Sequence, residues 1–357
     1  MIPKLNISGL IATVPIIQGG MGIGVSGSNL ASSVANEGGV GVISGVNIGY
    51  KEPDYKINPL RANLRELRNE IRKARKLAPK GILGLNLMVA INHYNEMVCA
   101  AVEEGIDLII SGAGLPTKLP EFVKGTKTRI APIVSSAKAA KVILKLWDSH
   151  YSSTADMIIV EGPDAGGHLG FSEEAISDKN HSLFDIIRDV IETIKPFQEK
   201  FKRHIPVVAA GGIFTGSDIA DYLKAGASGV QMATRFVATD ECDADLKYKE
   251  EYVNAQKEDI VIIKSPVGMP GRALNNAFIR KVTQYGDEIK ECFQCLKGCN
   301  PKVAPYCISA ALKNAVLGNV NDGLIFVGSN VCRIEKIVPV KELMSELVRD
   351  AELALNK

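Results

Sequence analysis

The sequence predicts an α/β fold, a (β/α)8 TIM barrel with an added lid and a C-terminal helical extension. Three observations lead there. Eight short runs of aliphatic residues alternate with helix-length segments through the first 240 positions, and no hairpin signal separates them, so the strands pair in parallel. Several runs end in glycine-rich turns, the form in which backbone reaches a ligand at the carboxyl edge of a parallel sheet. The length of 357 residues suits one barrel of roughly 250 residues plus additions.

Residues 14–22 (VPIIQGGMG) read as the first strand, ending in a Gly-Gly-Met-Gly turn, and 28–37 as a helix that Ser26 or Ser28 is placed to cap. The second strand is 39–44 (GVGVIS). In a helix expected over 61–78, Leu60, Leu64, Leu67, Ile71 and Ala74 recur at helical spacing. Its other face carries Arg61, Arg65, Arg68, Arg72, Lys73, Arg75 and Lys76, either solvated or set to dock an acidic partner. Residues 82–88 (ILGLNLM) form a strand with one polar member, Asn86, which needs a partner. A helix over 95–104 leads to the strand 107–111 and the turn Gly112-Ala113-Gly114. After a short helix, the strand 130–135 precedes an amphipathic helix over 137–147. The sixth strand is 156–161, followed by a polar loop over 171–181 and a helix over 183–197. Residues 206–210 (PVVAA) make the seventh strand, 217–225 a helix stopped by Gly226, and 229–234 (GVQMAT) the eighth strand.

The barrel therefore spans residues 1–240. Beyond it, 241–300 reads as a lid, with a charged helix over 243–256 and a strand from 260 that runs into a Pro/Gly-rich segment ending near 278. Residues 301–357 form an extension with helices over 304–317 and 340–353 and a strand-like stretch over 324–327.

Candidate chemistry concentrates in residues 157–170 (MIIVEGPDAGGHLG), where a buried strand ends in Glu161, a turn containing Gly166 and Gly167, and His168. An imidazole of ordinary pKa about 6.5 exchanges a proton near neutrality. A plain alternative is a tight turn with His168 capping a helix or facing water. Strands seven and eight end in Gly211-Gly212 and in Gln231-Met232-Ala233-Thr234, the two loops whose N–H groups commonly bind phosphate in such barrels, which implies a phosphate-bearing cofactor.

Composition narrows the partners. Hydrophobic residues at 46% and 33 glycines exclude a disordered chain, and a net charge of +2 gives no reason to expect nucleic acid or a membrane. The amino terminus lacks a signal-peptide pattern, so a cytoplasmic location is expected. Seven cysteines, an odd number scattered apart from one cluster, do not indicate a disulfide framework. Four of them, Cys292, Cys295, Cys299 and Cys307, stand at C-x2-C-x3-C-x7-C and are candidate ligands for zinc or an iron–sulfur cluster, the alternative being reduced thiols. Cys99, Cys242 and Cys332 read as structural. Surface or capping roles suit His93, His150, His181 and His204, with His181 a remote candidate for the site. Arg272 is either solvated or a contact for an anionic substrate or nicotinamide phosphate.

Taken in order, VPIIQGGMG, GLNLM, EGPDAGGHLG, PVVAAGGI and GVQMATRF resemble the nitronate monooxygenase (2-nitropropane dioxygenase) family and the related flavin-dependent enoyl-acyl-carrier-protein reductase, with a further echo in SPVGMPGRALNNAF. The resemblance implies an FMN-binding barrel. Gly19, Gly20, Met21, Gly22, Asn86 and Glu161 would lie around the isoalloxazine ring and ribityl chain. Gly166 and Gly167 would form the turn beneath the cofactor, and Gly211, Gly212, Gln231, Met232, Ala233 and Thr234 would hold the phosphate. His168 falls on the family's catalytic histidine, implied to act as general acid or base or to stabilise negative charge. Two departures stand out: Ala233 replaces a common Gly, and Asp164 a common Glu. The CFQCLKGC portion is similar to the cluster segment of enoate-reductase-type flavoenzymes, which have a longer gap before the last cysteine.

The leading expectation is oxidation of alkyl nitronates by O2. The alternatives are NAD(P)H-dependent reduction of an enoyl thioester or a quinone, a flavin-free phosphate-binding barrel, and a non-catalytic flavin or cluster carrier. The partner expected is a small-molecule substrate, with room for a homodimer.

Overall fold

In the computed structural model, which describes residues 1–178 and 182–357, the chain opens with a feature absent from the sequence reading. Strands β1 (Leu5–Ile7) and β2 (Leu10–Ala12) form an antiparallel hairpin, with Ser8 and Gly9 at positive φ and the Gly9 N–H donating to Asn6 Oδ1 at 2.8 Å. Leu5, Ile7 and Ala12 join the apolar interior of the barrel, and Leu5 lies against the start of its last strand at Gly229. The hairpin thus plugs the amino-terminal end.

The barrel strands are β3 (Ile16–Gln18), β4 (Val40–Ser44), β5 (Ile82–Met88), β6 (Leu108–Gly112), β7 (Arg129–Val134), β8 (Ile158–Glu161), β10 (Val207–Ala210) and β11 (Gly229–Met232). They close in that order, all parallel, with β11 paired to β3. A two-residue strand, β9 (Gly167–His168), lies outside the barrel. The helices between them are α1 (Ser28–Asn36), α2 (Pro59–Leu77), α3 (Tyr94–Glu103), α4 (Leu119–Val123), α5 (Ala137–Tyr151), α6 (Glu173–Ser177), α7 (Leu183–Phe201) and α8 (Gly216–Lys224).

Side chains alternate along each strand. Ile17, Val40, Val42, Leu108, Ile110 and Ile159 fill the interior, while Ile16, Ile43, Leu85, Ile109 and Ile158 pack outward in the core shared with the helices. The alternation has a consequence for chemistry. Asn86, Glu161 and Gln231 each stand two positions beyond an inward-facing residue, so all three share the inward parity at the carboxyl end of their strands.

Beyond the barrel come α9 (Thr234–Val237), α10 (Leu246–Asn254), β12 (Ile260–Lys264), β13 (Pro270–Leu274), α11 (Ala277–Tyr285), α12 (Ile308–Val316) and α13 (Val340–Leu355). The Pro/Gly-rich segment is therefore largely regular. β13 pairs with β12 on one side and with β9 on the other, placing Gly271 opposite His168. Residues 324–327 are not a separate strand, since their contact with β13 is limited to the bridge Ala273–Phe326 and its flanking hydrogen bonds. α13 packs on α8 so closely that a Cβ on Gly216 would lie 2.4 Å from the Ala351 nitrogen.

Neither Ser26 nor Ser28 caps α1. Ser26 Oγ instead accepts the Met21 N–H at 2.8 Å and holds the first glycine turn. The exposed N–H groups of α1 donate across the molecule, those of Gly27 and Leu30 to Asp243 Oδ2 (2.8 and 3.2 Å) and that of Ser28 to Glu70 Oε2 (2.6 Å). The basic face of α2 is engaged as well: Arg65 pairs with Glu52 and Asp54, Arg68 with Glu103, Arg72 with Glu104 and Arg75 with Asp107. Among the described residues, no helix is long and apolar enough to cross a membrane.

Candidate active site

A cavity of about 430 Å³ opens where the carboxyl ends of all eight barrel strands meet. Every residue expected to bind cofactor, and His168 as well, lies on its wall. The first turn, Gly19, Gly20, Met21 and Gly22, runs against Asn86 so tightly that a Cβ on Gly20 would come within 2.3 Å of the Asn86 Cβ. Asn86 itself finds one long contact, Nδ2 to the Ile110 carbonyl at 3.5 Å. Gly166 passes under residues 327–328, where a Cβ would meet the Val327 carbonyl carbon at 2.7 Å.

On the opposite strands, Gly211 and Gly212 both adopt positive φ. Among the described residues, the N–H groups of Gly212, Ile213, Ala233 and Thr234 donate to no protein acceptor. Ala233, the departure from the family's Gly, has φ −125°, a conformation any L-residue adopts, so its methyl group leaves the turn unstrained. The Gln231 Oε1 atom is buried without a hydrogen-bond partner.

Two titratable groups on this wall are displaced in opposite directions by burial. The Glu161 carboxyl is pushed up to about 7, and the His168 imidazole down to about 4. Near neutrality the histidine is therefore uncharged and the carboxyl is close to its midpoint. His168 Nε2 lies 2.7 Å from Ser265 Oγ, and its ring meets the edge of Phe326 with centroids 4.9 Å apart at 63°.

A family model described as nitronate monooxygenase matches residues 5–350. The chain belongs to the nitronate monooxygenase family. A protein of Staphylococcus saprophyticus described as "Probable nitronate monooxygenase" is 26% identical over 309 residues, covering 80% of this chain and 82% of that one. Among solved structures, FabK from Thermotoga maritima superposes with a TM-score of 0.74 at 28% identity, covering 96% of this chain and 94% of its own. A nitroalkane oxidase from Streptomyces ansochromogenes has a TM-score of 0.75 at 21% identity over 96% of this chain and 97% of its own, a likeness of fold.

As a nitronate monooxygenase family member, the protein is an enzyme, an oxidoreductase of the FMN-binding type. Its residues fit that cofactor. The orphaned Gln231 oxygen and the four unengaged N–H groups are polar atoms that a bound flavin phosphate would satisfy, and the glycines leave space that side chains would fill.

Several residues of the site escaped the sequence reading. Tyr248, Tyr252, Leu312 and Phe326 on the wall, and Ser265 behind His168, lie far along the chain, and only the SPVGMPG motif hinted at Ser265. One expectation is corrected. Arg272 neither faces solvent nor reaches the cavity wall; it is 6% exposed, its guanidinium donating to the Ala165 carbonyl behind the glycine turn. Cys292, Cys295, Cys299 and Cys307 interact electrostatically with one another, although among the described residues no group of three or more His, Cys, Asp or Glu side chains is disposed to hold an ion. Local structure uses the sulfur-bearing residues instead: the Cys295 carbonyl accepts the Asn92 N–H, Cys307 starts α12, and burial pushes the Cys295 thiol up to about 11. On the α2 face, Arg65, Arg68, Arg72 and Arg75 pair with the protein's own carboxylates, while Arg61, Lys73 and Lys76 are outside these pairs. His93, His150 and His204 are on the surface as expected, and His181 lies outside the described residues.

Proposed function

We propose that this protein oxidises small alkyl nitronates with O2, using bound FMN. The observation that carries the reading is the make-up of one cavity wall, in which the unengaged N–H groups and Gln231 accompany a neutral His168 set among Met88, Leu115, Met269 and Phe326. FMN, when bound, supplies the electron-accepting centre that amino-acid side chains lack. The chain's own residues do the rest. Gly211, Gly212 and residues 231–234 take the phosphate, and the turn 19–22 with Asn86, Glu161, Gly166 and Gly167 encloses the ring and ribityl chain. The apolar wall excludes water and accepts the alkyl group. His168 meets the charged end of the substrate as acid, base or hydrogen-bond donor. A nitronate arrives already deprotonated, which suits an imidazole that burial has made a weak base. Residues 241–300 serve as the lid over this cavity, and 301–357 pack it in place.

A second reading, NAD(P)H-dependent reduction of an enoyl thioester or quinone, draws on the similarity to FabK. The test is to purify the protein without oxygen, record its visible spectrum, and mix it separately with propyl nitronate and with NADH or NADPH. Bleaching of the flavin by nitronate alone is expected. Bleaching by the nicotinamide alone would replace this reading with the reductase.

A further inference from the structure

We propose that Ser265 is a positioning residue that holds His168 as its Nδ1–H tautomer, so that the imidazole offers an anionic substrate a neutral hydrogen-bond donor. The use made of that donor rests on the proposed oxidation; the tautomer itself does not.

The argument is a count of protons. Ser265 is 3% exposed, and its Oγ lies 2.7 Å from His168 Nε2. The same Oγ accepts the Val267 N–H at 3.4 Å. A hydroxyl has one proton to give, and among the described residues the acceptor available to it is Nε2. If Nε2 carried a hydrogen, the buried Ser265 proton would have no acceptor, an arrangement that proteins avoid. Nε2 is therefore the acceptor, and the neutral ring bears its hydrogen on Nδ1. Among the described residues Nδ1 has no hydrogen-bond partner and is not sealed in the interior, on a ring that lines the cavity.

The geometry is rigidly built. Ser265 closes a turn in which its N–H donates to the Met269 carbonyl (3.1 Å) and its carbonyl accepts the Gly268 N–H (2.9 Å). The histidine backbone is tied to the same segment by the pairing of β9 with β13 and by the Leu169 N–H donating to the Pro270 carbonyl at 2.9 Å. Phe326 restricts ring rotation from the side. The other titratable groups on the wall are Glu161, Asp164, Tyr248 and Tyr252, with Arg272 behind the glycine turn; burial is the cause of the lowered His168 basicity. A donor on the Nε2 lone pair favours the neutral ring further, so its removal raises the basicity of His168.

The experiment is nitrogen-15 NMR of the histidine-labelled holoenzyme as purified, with His168 assigned by loss of its signals in His168→Gln. The Nδ1–H pattern is expected in the native protein and in Ser265→Thr, which keeps the hydroxyl. Ser265→Ala is expected to shift toward Nε2–H, to raise the titration midpoint of His168, and to lower kcat by about tenfold, the scale of one lost hydrogen bond. Retained flavin absorbance and melting temperature establish that the variant is folded. An Nε2–H pattern in the native protein, or an unchanged tautomer and titration in Ser265→Ala, would overturn the assignment. Because the tautomer is read without turnover, failure of nitronate to bleach the flavin would leave this result intact and count against the proposed reaction alone.

Discussion

Glu161 and His168 sit on one wall with opposite displacements, and that opposition makes a prediction at the level of single residues. The folded-state pKa of Glu161 is raised above its unfolded value of about 4.3, so its contribution to stability is fully present below that value and is lost as pH rises through about 7. For His168 the folded value is depressed, so its contribution is present above about 6.5 and is lost as pH falls through about 4. In cofactor-free protein, Glu161→Gln should therefore remove a decline in melting temperature between pH 4.5 and 7 and melt above the native protein at pH 8. Melting curves across this range check it; an unchanged slope would mean that Glu161 is charged throughout. The place of Glu161 at the carboxyl end of a buried strand was legible in the sequence. The Ser265 partner of His168 was not, because a hydroxyl 97 positions away leaves no local periodic signal.

At the scale of elements, the most informative contact is the one across the start of α1. Serines stand where a local cap is ordinarily found, yet Asp243 accepts the N–H groups of Gly27 and Leu30, with a longer contact to Asn29. Asp243→Ala leaves these donors without an acceptor and should cost about 1–2 kcal/mol, the upper range for loss of a helix cap. Asp243→Asn retains an oxygen acceptor and should cost less, because burial already disfavours the charge on Asp243. Urea unfolding of both variants distinguishes a cap from an incidental contact. Since α1 follows directly on the turn 19–22, Asp243→Ala should also loosen cofactor retention, measurable as flavin lost on gel filtration. Helices and strands of the barrel were readable to within a few residues because each carries its own apolar period. The β1–β2 hairpin was missed because its strands are three residues long, too short to display one.

For the whole molecule, the segments after residue 240 complete a site whose chemistry the barrel begins. Tyr248, Tyr252, Met269 and Phe326 reach the cavity that the eight strand ends define, and β13 pairs directly with the histidine-bearing β9. The cysteines of this region look like a ligand set in sequence, and their thiols interact with one another, but among the described residues they form no group disposed to hold an ion. Elemental analysis of anaerobically purified protein should find iron and zinc well below one per chain. The Cys292, Cys295, Cys299 and Cys307 to Ser variant should retain its flavin; stoichiometric metal, lost in that variant, would establish a metal site in place of reduced thiols.

The sequence by itself determined the closed barrel, the order of its strands and the set of residues at their carboxyl ends, including His168. Those features follow from repeating local patterns: apolar period, strand parity and glycine where backbone must approach closely. Only the tertiary structure decided that Ser265 meets the histidine, that Asp243 caps α1 and that Arg272 is buried. Each depends on pairing between segments far apart in the chain, where packing of whole elements selects the neighbours and no local pattern encodes them.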